Sequence, residues 1–274
     1  MPDNPLLHKT LCDRIRQSPH QRITFADFMD QVLYHPQAGY YTTQAAAIGP
    51  QGDFLTSPHL SHDFGELLAE QFLELWLNLG SPERFTLVEM GAGQGVMAAD
   101  VLTYLQAHHA ACFATLRYLI VETSPSLRAI QKKRLAPWAD QLTWLTLDNL
   151  PDNSVTGCFF SNELVDALPV HQVILTEAGL REVYVSLGED GARFQEEVGP
   201  LSTPRLEDYF DRVGVNWADP QYAVGYRTEA HLAALDWIQT VAQKLHCGYV
   251  ITIDYGYSVE RYYSRGRSQG TLQC

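Results

Sequence analysis

FTLVEMGAGQGVMAADVLTYL, residues 85–105, is the stretch on which the fold turns. Its first five residues are an apolar run with the length and composition of a buried strand. Glycines follow at positions 91, 93 and 95, and then Met97, Val101, Leu102 and Leu105 recur at the spacing of one helix face. A strand, a glycine turn and a helix in that order commonly hold a nucleotide. The dinucleotide pattern G-x-G-x-x-G is not met, because Val96 occupies the third glycine's place and Gly95 comes one residue early. An acid, Glu89, stands ahead of the turn.

The resulting E-x-G-x-G-x-G suits a ligand without pyrophosphate. Glycines let the backbone approach closely, and a carboxylate accepts from a cationic ammonium. S-adenosyl-L-methionine (SAM) has such a zwitterionic end and no phosphate; NAD is the alternative. Further along, LRYLIVE is a second strand ending in Glu122, whose carboxylate offers two acceptors to the two hydroxyls of a ribose. SPSLRAIQKKRL starts a helix with Ser124 as N-cap and Pro125 in its first turn. LTWLTL is a third strand, leading to Asp148, Asn149 and Leu150 where an adenine would lie. GCFFS is a fourth, followed by Asn162 and Glu163 at the lip where an acceptor would enter. This alternation predicts an α/β fold, a Rossmann-like parallel sheet with helices on both faces and its ligand at the strands' carboxyl ends. Gly91, Gly93, Gly95, Glu89, Glu122, Asp148, Asn149 and Leu150 are the candidate cofactor residues.

Upstream, RITFADFMDQVLY (22–34) reads as a helix with Thr24 as N-cap, and HDFGELLAEQFLELWLNLG as another that stops at Gly80. Residues 1–80 are therefore expected to form a helical cap with a lid loop, and 81–274 the cofactor-binding core. Residues 171–198 break the alternation and read as a β-meander, with turns at Glu177-Ala178-Gly179 and Glu189-Asp190-Gly191. Alone it is too small for a core, so it is expected to be an insertion. The helix TEAHLAALDWIQTVAQKLHCG follows, and GYVITIDYGY resumes the sheet.

With a formal net charge of −13, the chain has few cations to neutralise phosphates, which argues against nucleic acid as the main partner. No apolar run approaches the length of a membrane span, and the N-terminal residues lack a signal-peptide core. Five scattered cysteines without C-x-x-C spacing indicate neither a zinc site nor a disulfide framework. A cytoplasmic protein with reduced thiols is expected.

SNELVDALPV (161–170) places Glu163 and Asp166 three residues apart, on one face if a helical turn forms. Paired carboxylates match a guanidinium fork, so with Asn162 they are the candidate catalytic residues. The competing reading has Asp166 capping a short helix and Asn162 tying the loop. QGDFLTSPHLS (51–61) is a candidate lid, with Asp53 and Ser57 as its polar groups unless they serve turn chemistry. His59 and His62 lack acids at ligand spacing, so no metal is expected. Tyr255 is expected to pack structurally.

Together GYY (39–41), GDFLTSP (52–58), FGE (64–66), LVEMGAGQG (87–95), SNELVDALPV, IDYG (253–256) and the terminal GTLQC resemble the MidA-like methyltransferases. These are class I SAM-dependent enzymes related to the mitochondrial complex I assembly factor, and the similarity runs over nearly the whole chain. The resemblance implies dimethylation of an arginine on a subunit of the respiratory NADH dehydrogenase or its bacterial counterpart. The compartment implied is the cytoplasm, or the mitochondrial matrix in a eukaryote. Gly91, Gly93 and Glu122 would hold SAM, and the Asn162–Glu163 loop would face the acceptor. Position 59 is His where the family has Glu, and relatives continue with further strands beyond the position of Cys274. A non-catalytic SAM-binding assembly factor and a small-molecule methyltransferase are the competing functions.

Overall fold

The computed structural model describes residues 4–43 and 61–272. Its elements, in chain order, begin with α1 (Pro5–Gln17), β1 (Arg22–Thr24), α2 (Phe25–Tyr34), α3 (Tyr40–Thr43) and α4 (Asp63–Asn78). Next come β2 (Phe85–Met90), α5 (Val96–His108), α6 (Ala110–Thr115), β3 (Leu116–Val121), α7 (Pro125–Arg134), β4 (Leu142–Leu145) and β5 (Val155–Asn162). The remainder is β6 (His171–Thr176), β7 (Gly179–Leu187), β8 (Phe194–Gly199), α8 (Arg205–Arg212), β9 (Arg227–Ala230), α9 (Leu232–Lys244), β10 (Leu245–Ile253) and α10 (Val259–Tyr262). The chain folds as two compact units, one of residues 41–167 with 237–255, the other of the remaining residues.

The first unit is built on a five-stranded sheet in the order β10-β5-β2-β3-β4, with every neighbouring pair parallel. A parallel sheet must be covered on both faces, and β2 is accordingly buried at all six residues. Side chains alternate across a strand. Phe85 and Leu87 enter one core with Phe72, Val101, Leu105 and Phe160, and Val88 and Met90 enter another with Leu119, Phe159 and Val241. Gly65 lets α4 lie close on α5: a Cβ there would come within 2.5 Å of the Asp100 Cβ. The strand order reverses between β2 and β5, and the crevice beyond their carboxyl ends is where sheets of this type place ligands.

The second unit holds an antiparallel sheet in the order β1-β7-β6-β9, with β8 also on β7. Here four expectations are corrected. The β-meander is not a bare insertion: β1 and β9 extend it, and it has cores of its own. One gathers Leu11, Ile15, Ile23 and Val185, the other Val173, Leu206, Phe210, Val215 and Tyr263. The chain does not divide at residue 80. Leu68, Ala69, Phe72 and Leu75 of α4 are buried against the parallel sheet, whereas α1 and α2 belong to the unit with the meander. Residues 22–34 are not all helix, because Arg22, Ile23 and Thr24 pair with Ser186, Val185 and Tyr184 of β7. The helix starts at Phe25, with the Thr24 hydroxyl accepting from the Asp27 amide at 3.0 Å and donating to its carboxylate at 2.9 Å. Likewise Arg227–Ala230 is strand, and the helix after it spans Leu232–Lys244.

Candidate cofactor and acceptor site

Gly91, Gly93 and Gly95 all have left-handed backbones, with φ of 77°, 51° and 76°. That conformation disfavours any residue with a Cβ, which is why the turn is written in glycine. At Gly91 a Cβ would press on Leu164 Cδ1 at 3.2 Å, and at Gly95 on Leu135 Cδ1 at 3.3 Å. At Gly93 it would meet nothing within 4 Å among the described residues. Gly95 serves as N-cap of α5.

Alternation along three paired strands brings the candidate acids to one face. Glu89 pairs with Ile120 and Phe160, on the face of Leu87, Tyr118 and Cys158. Glu122 and Asn162 continue the same alternation beyond Ile120 and Phe160. The groups differ in what they touch. Glu89 is 3% exposed, and its carboxylate accepts from the Tyr118 hydroxyl at 2.7 Å. Burial pushes its pKa up to about 7, against the lowering effect of that hydrogen bond. Glu122 is also buried; it accepts from the Ser124 amide at 2.8 Å and from Gln131 Nε2 at 3.2 Å, while Arg128 Nε donates to its backbone carbonyl. Burial raises the pKa of Glu122, and those two donors oppose the rise.

At the end of β5 the pattern changes. Asn162 Oδ1 is buried without a hydrogen-bond partner among the described residues. Glu163 has φ of 52°, a left-handed backbone that costs a non-glycine residue about 1 kcal/mol. Its amide donates to the Ile253 carbonyl at 2.8 Å. Residues 163–168 form bends and turns, so the helical turn that would align Glu163 with Asp166 is not there, nor is a helix for Asp166 to cap. The loop is instead held by Asp254: its Oδ2 accepts from the amides of Val165 at 2.8 Å and Asp166 at 3.2 Å, and its Oδ1 from that of Tyr255 at 2.8 Å. Burial and then the nearby Asp254 charge raise the Asp166 pKa. Leu164 lies against Gly91, so this loop and the glycine turn are neighbours.

Other candidates lie elsewhere. β4 ends at Leu145, so Asp148 and Asn149 sit exposed on a short 3-10 turn, and Leu150 is buried in the core with Val88 and Phe159. Tyr255 is 77% exposed and does not pack as expected. His62 Nδ1 lies 2.6 Å from Asp100 Oδ1, which raises the His62 pKa. Asp53, Ser57 and His59 fall outside the described residues. Sequence reasoning passed over Gln131, Tyr118 and Asp254. A glutamine one helical turn after Leu127, on the buried face of α7, was the available signal for the first.

The Glu122 carboxylate and Asn162 Oδ1 are acceptors at the carboxyl ends of β3 and β5. Acceptors of this kind fit a ligand that presents hydroxyl or ammonium donors. A sequence profile for the family described as "Putative S-adenosyl-L-methionine-dependent methyltransferase" matches residues 67–274. The chain belongs to that family, whose cofactor is SAM. Protein arginine methyltransferase NDUFAF7, mitochondrial, of Mus musculus is 33% identical over 207 residues, 66% of this chain and 46% of its own. The Drosophila melanogaster homologue of that protein is 34% identical over 193 residues, 62% of this chain and 43% of its own. The chain thus spans somewhat under half the length of these curated relatives. A crystal structure from Burkholderia thailandensis bound to S-adenosyl-homocysteine aligns with a TM-score of 0.79 at 31% identity, covering 99% of this chain and 69% of that one.

Proposed function

We propose that this protein is a SAM-dependent methyltransferase acting on an arginine side chain of a protein, with a subunit of the respiratory NADH dehydrogenase as its target. The observation that most favours it is the arrangement after β5: the unpartnered Asn162 Oδ1 and the left-handed Glu163, in a loop that touches the glycine turn. The names of the mitochondrial relatives support an arginine acceptor. The mitochondrial relatives and the sequence resemblance support the matrix of a mitochondrion in a eukaryote, or the cytoplasm in a bacterium.

In this reading Glu122 accepts from the ribose hydroxyls, and Gly91, Gly93 and Gly95 let the backbone approach the amino-acid end. Glu89, its pKa raised by burial to about 7, places a carboxyl group near that end, and Asp148 and Asn149, exposed on the turn after β4, border the adenine. When bound, SAM supplies an electrophilic methyl group. Asn162 and Glu163 orient the guanidinium so that one nitrogen presents its lone pair, and positioning of this kind supplies much of the acceleration. As the nitrogen's new bond to carbon forms, the carbon–sulfur bond would break to leave a neutral thioether, and the nitrogen would shed a proton. Asp166, made a better base by burial and by Asp254, is the group that receives it.

The test is tritiated methyl transfer from SAM to proteins of a lysate, with wild type and Glu163→Ala. A labelled protein whose label maps to arginine is expected with wild type and not with the variant. Wild type that binds SAM and labels nothing is a SAM-binding assembly factor, and label confined to small molecules moves the acceptor class.

A further inference from the structure

Gln131 of α7 is fully buried, and both N–H groups and the oxygen of its amide are engaged. Nε2 donates to the Gly93 carbonyl at 2.8 Å and to Glu122 Oε2 at 3.2 Å, and Oε1 accepts from the Trp144 indole N–H at 2.9 Å. These partners fix the amide's orientation, since turning it over would set its oxygen against two acceptors and its NH2 against a donor. One side chain therefore ties together the glycine turn after β2, the carboxylate after β3, and β4. Its Cγ also stands 3.4 Å from where a Cβ at Gly95 would be.

We infer that Gln131 is a positioning residue for the cofactor, holding the Glu122 carboxylate and the Gly93 carbonyl in the one register that a ribose and an amino-acid end can bridge. This rests on the assignment of Glu122 to the cofactor. Because one Oε2 lone pair of Glu122 is taken by Gln131 and one of Oε1 by the Ser124 amide, the remaining pairs are aimed in a fixed direction. Loss of the amide frees the carboxylate to rotate and leaves the Gly93 carbonyl and the Trp144 indole without partners, at a buried site where unmade hydrogen bonds are costly.

Calorimetric titration with S-adenosyl-homocysteine separates the possibilities, using wild type, Gln131→Met, Gln131→Glu and Glu122→Ala. Gln131→Met is expected to weaken binding about tenfold, since it removes a hydrogen bond to a charged group. Gln131→Glu sets a second carboxylate beside Glu122. Its binding is expected to be weak at about pH 8 and to recover toward about pH 5.5, where a proton shared by the pair restores a donor to Glu122. A purely structural role moves the melting temperature of these variants but not the pH profile of ligand affinity. The inference is overturned if Glu122→Ala loses binding while Gln131→Met binds like wild type, or if Gln131→Glu shows the wild-type pH profile. Should Glu122→Ala itself bind like wild type, the Glu122 assignment falls and the inference with it. Where Gln131→Met does not fold, the pH profile of the isosteric Gln131→Glu decides.

Discussion

Two neighbouring stretches at the carboxyl edge of one sheet handle their polar groups in opposite ways. Around the glycine turn and β3 the acids are partnered within the protein: Glu89 by Tyr118, and Glu122 by Ser124 and Gln131. After β5, Asn162 Oδ1 is buried without a partner among the described residues, and Glu163 holds a left-handed backbone. A buried acceptor left unmade costs about 1–3 kcal/mol, so folds keep one where something else completes it. Under the proposed function, the first stretch is a rigid seat for a methyl donor that is exchanged at every turnover. The second, with its left-handed Glu163, is the edge that meets the acceptor.

The widest break between the two is expected from Glu163→Ala. If the loop after β5 serves only the acceptor, methyl transfer falls about a thousandfold, the middle of the range for groups that act on the transferred proton or its nitrogen. Affinity for S-adenosyl-homocysteine stays within about twofold of wild type. Equal losses in both measurements would erase the distinction between seat and edge.

Glu89 tests the other side. Its pKa rises from 4.5 in the unfolded chain to about 7 when folded, so folding retains a proton that the unfolded chain gives up. The stability contributed by the neutral form is complete below about pH 4.5, declines as pH rises, and is gone above about pH 7. The gap is worth about 3 kcal/mol. Glu89→Gln cannot ionise, so denaturant unfolding across that window should show wild type losing stability relative to the variant as pH climbs. Parallel curves would mean that Glu89 is charged throughout and paired with something outside the described residues.

Much of the partnered stretch was legible in the sequence, and for a physical reason. The glycines, the apolar strands, the Ser124 cap and the place of Glu122 at a strand end are local signals, set within a few residues of each other. What escaped was set by distance. Arg22–Thr24 reads as part of a helix until Ser186 and Val185 are seen to pair with it, more than a hundred and sixty positions away. The core of the meander depends on α1 and α8, which nothing in residues 171–198 announces. Asp148 and Asn149 were assigned to a strand end, yet β4 stops at Leu145 because the chain turns into a 3-10 turn first. Asp254 lies in IDYG, a stretch whose sequence marks a strand end and a family resemblance but no role for its carboxylate, because its partners Val165 and Asp166 lie far back along the chain.

Asp254 allows a smaller test of the same contrast. Its two oxygens accept from three backbone amides and so set the shape of the loop without touching it through side chains. Asp254→Asn keeps the size and loses part of the accepting capacity. Methyl transfer is expected to fall about tenfold, mainly in KM for the acceptor, with cofactor affinity unchanged. A matched loss of cofactor affinity would place Asp254 with the seat.

The smallest effect is expected where partnering occurs without burial. Arg205 donates to both oxygens of Asp236, one of them at 3.1 Å, in a bidentate pair whose side chains are 50% and 55% exposed. By geometry it is better made than the Gln131–Glu122 contact at 3.2 Å. Water competes for both partners, though, and salt screens the attraction, so pairs of this kind contribute about 0–1 kcal/mol. Arg205→Ala should therefore lower stability by less than about 1 kcal/mol in denaturant titrations, by less still at high salt, and leave methyl transfer and cofactor affinity alone. If it cost as much as Gln131→Met, the number of hydrogen bonds and not their exclusion from water would set the rigidity of the cofactor seat. The contrast between a partnered and a poised stretch would then lose its physical basis.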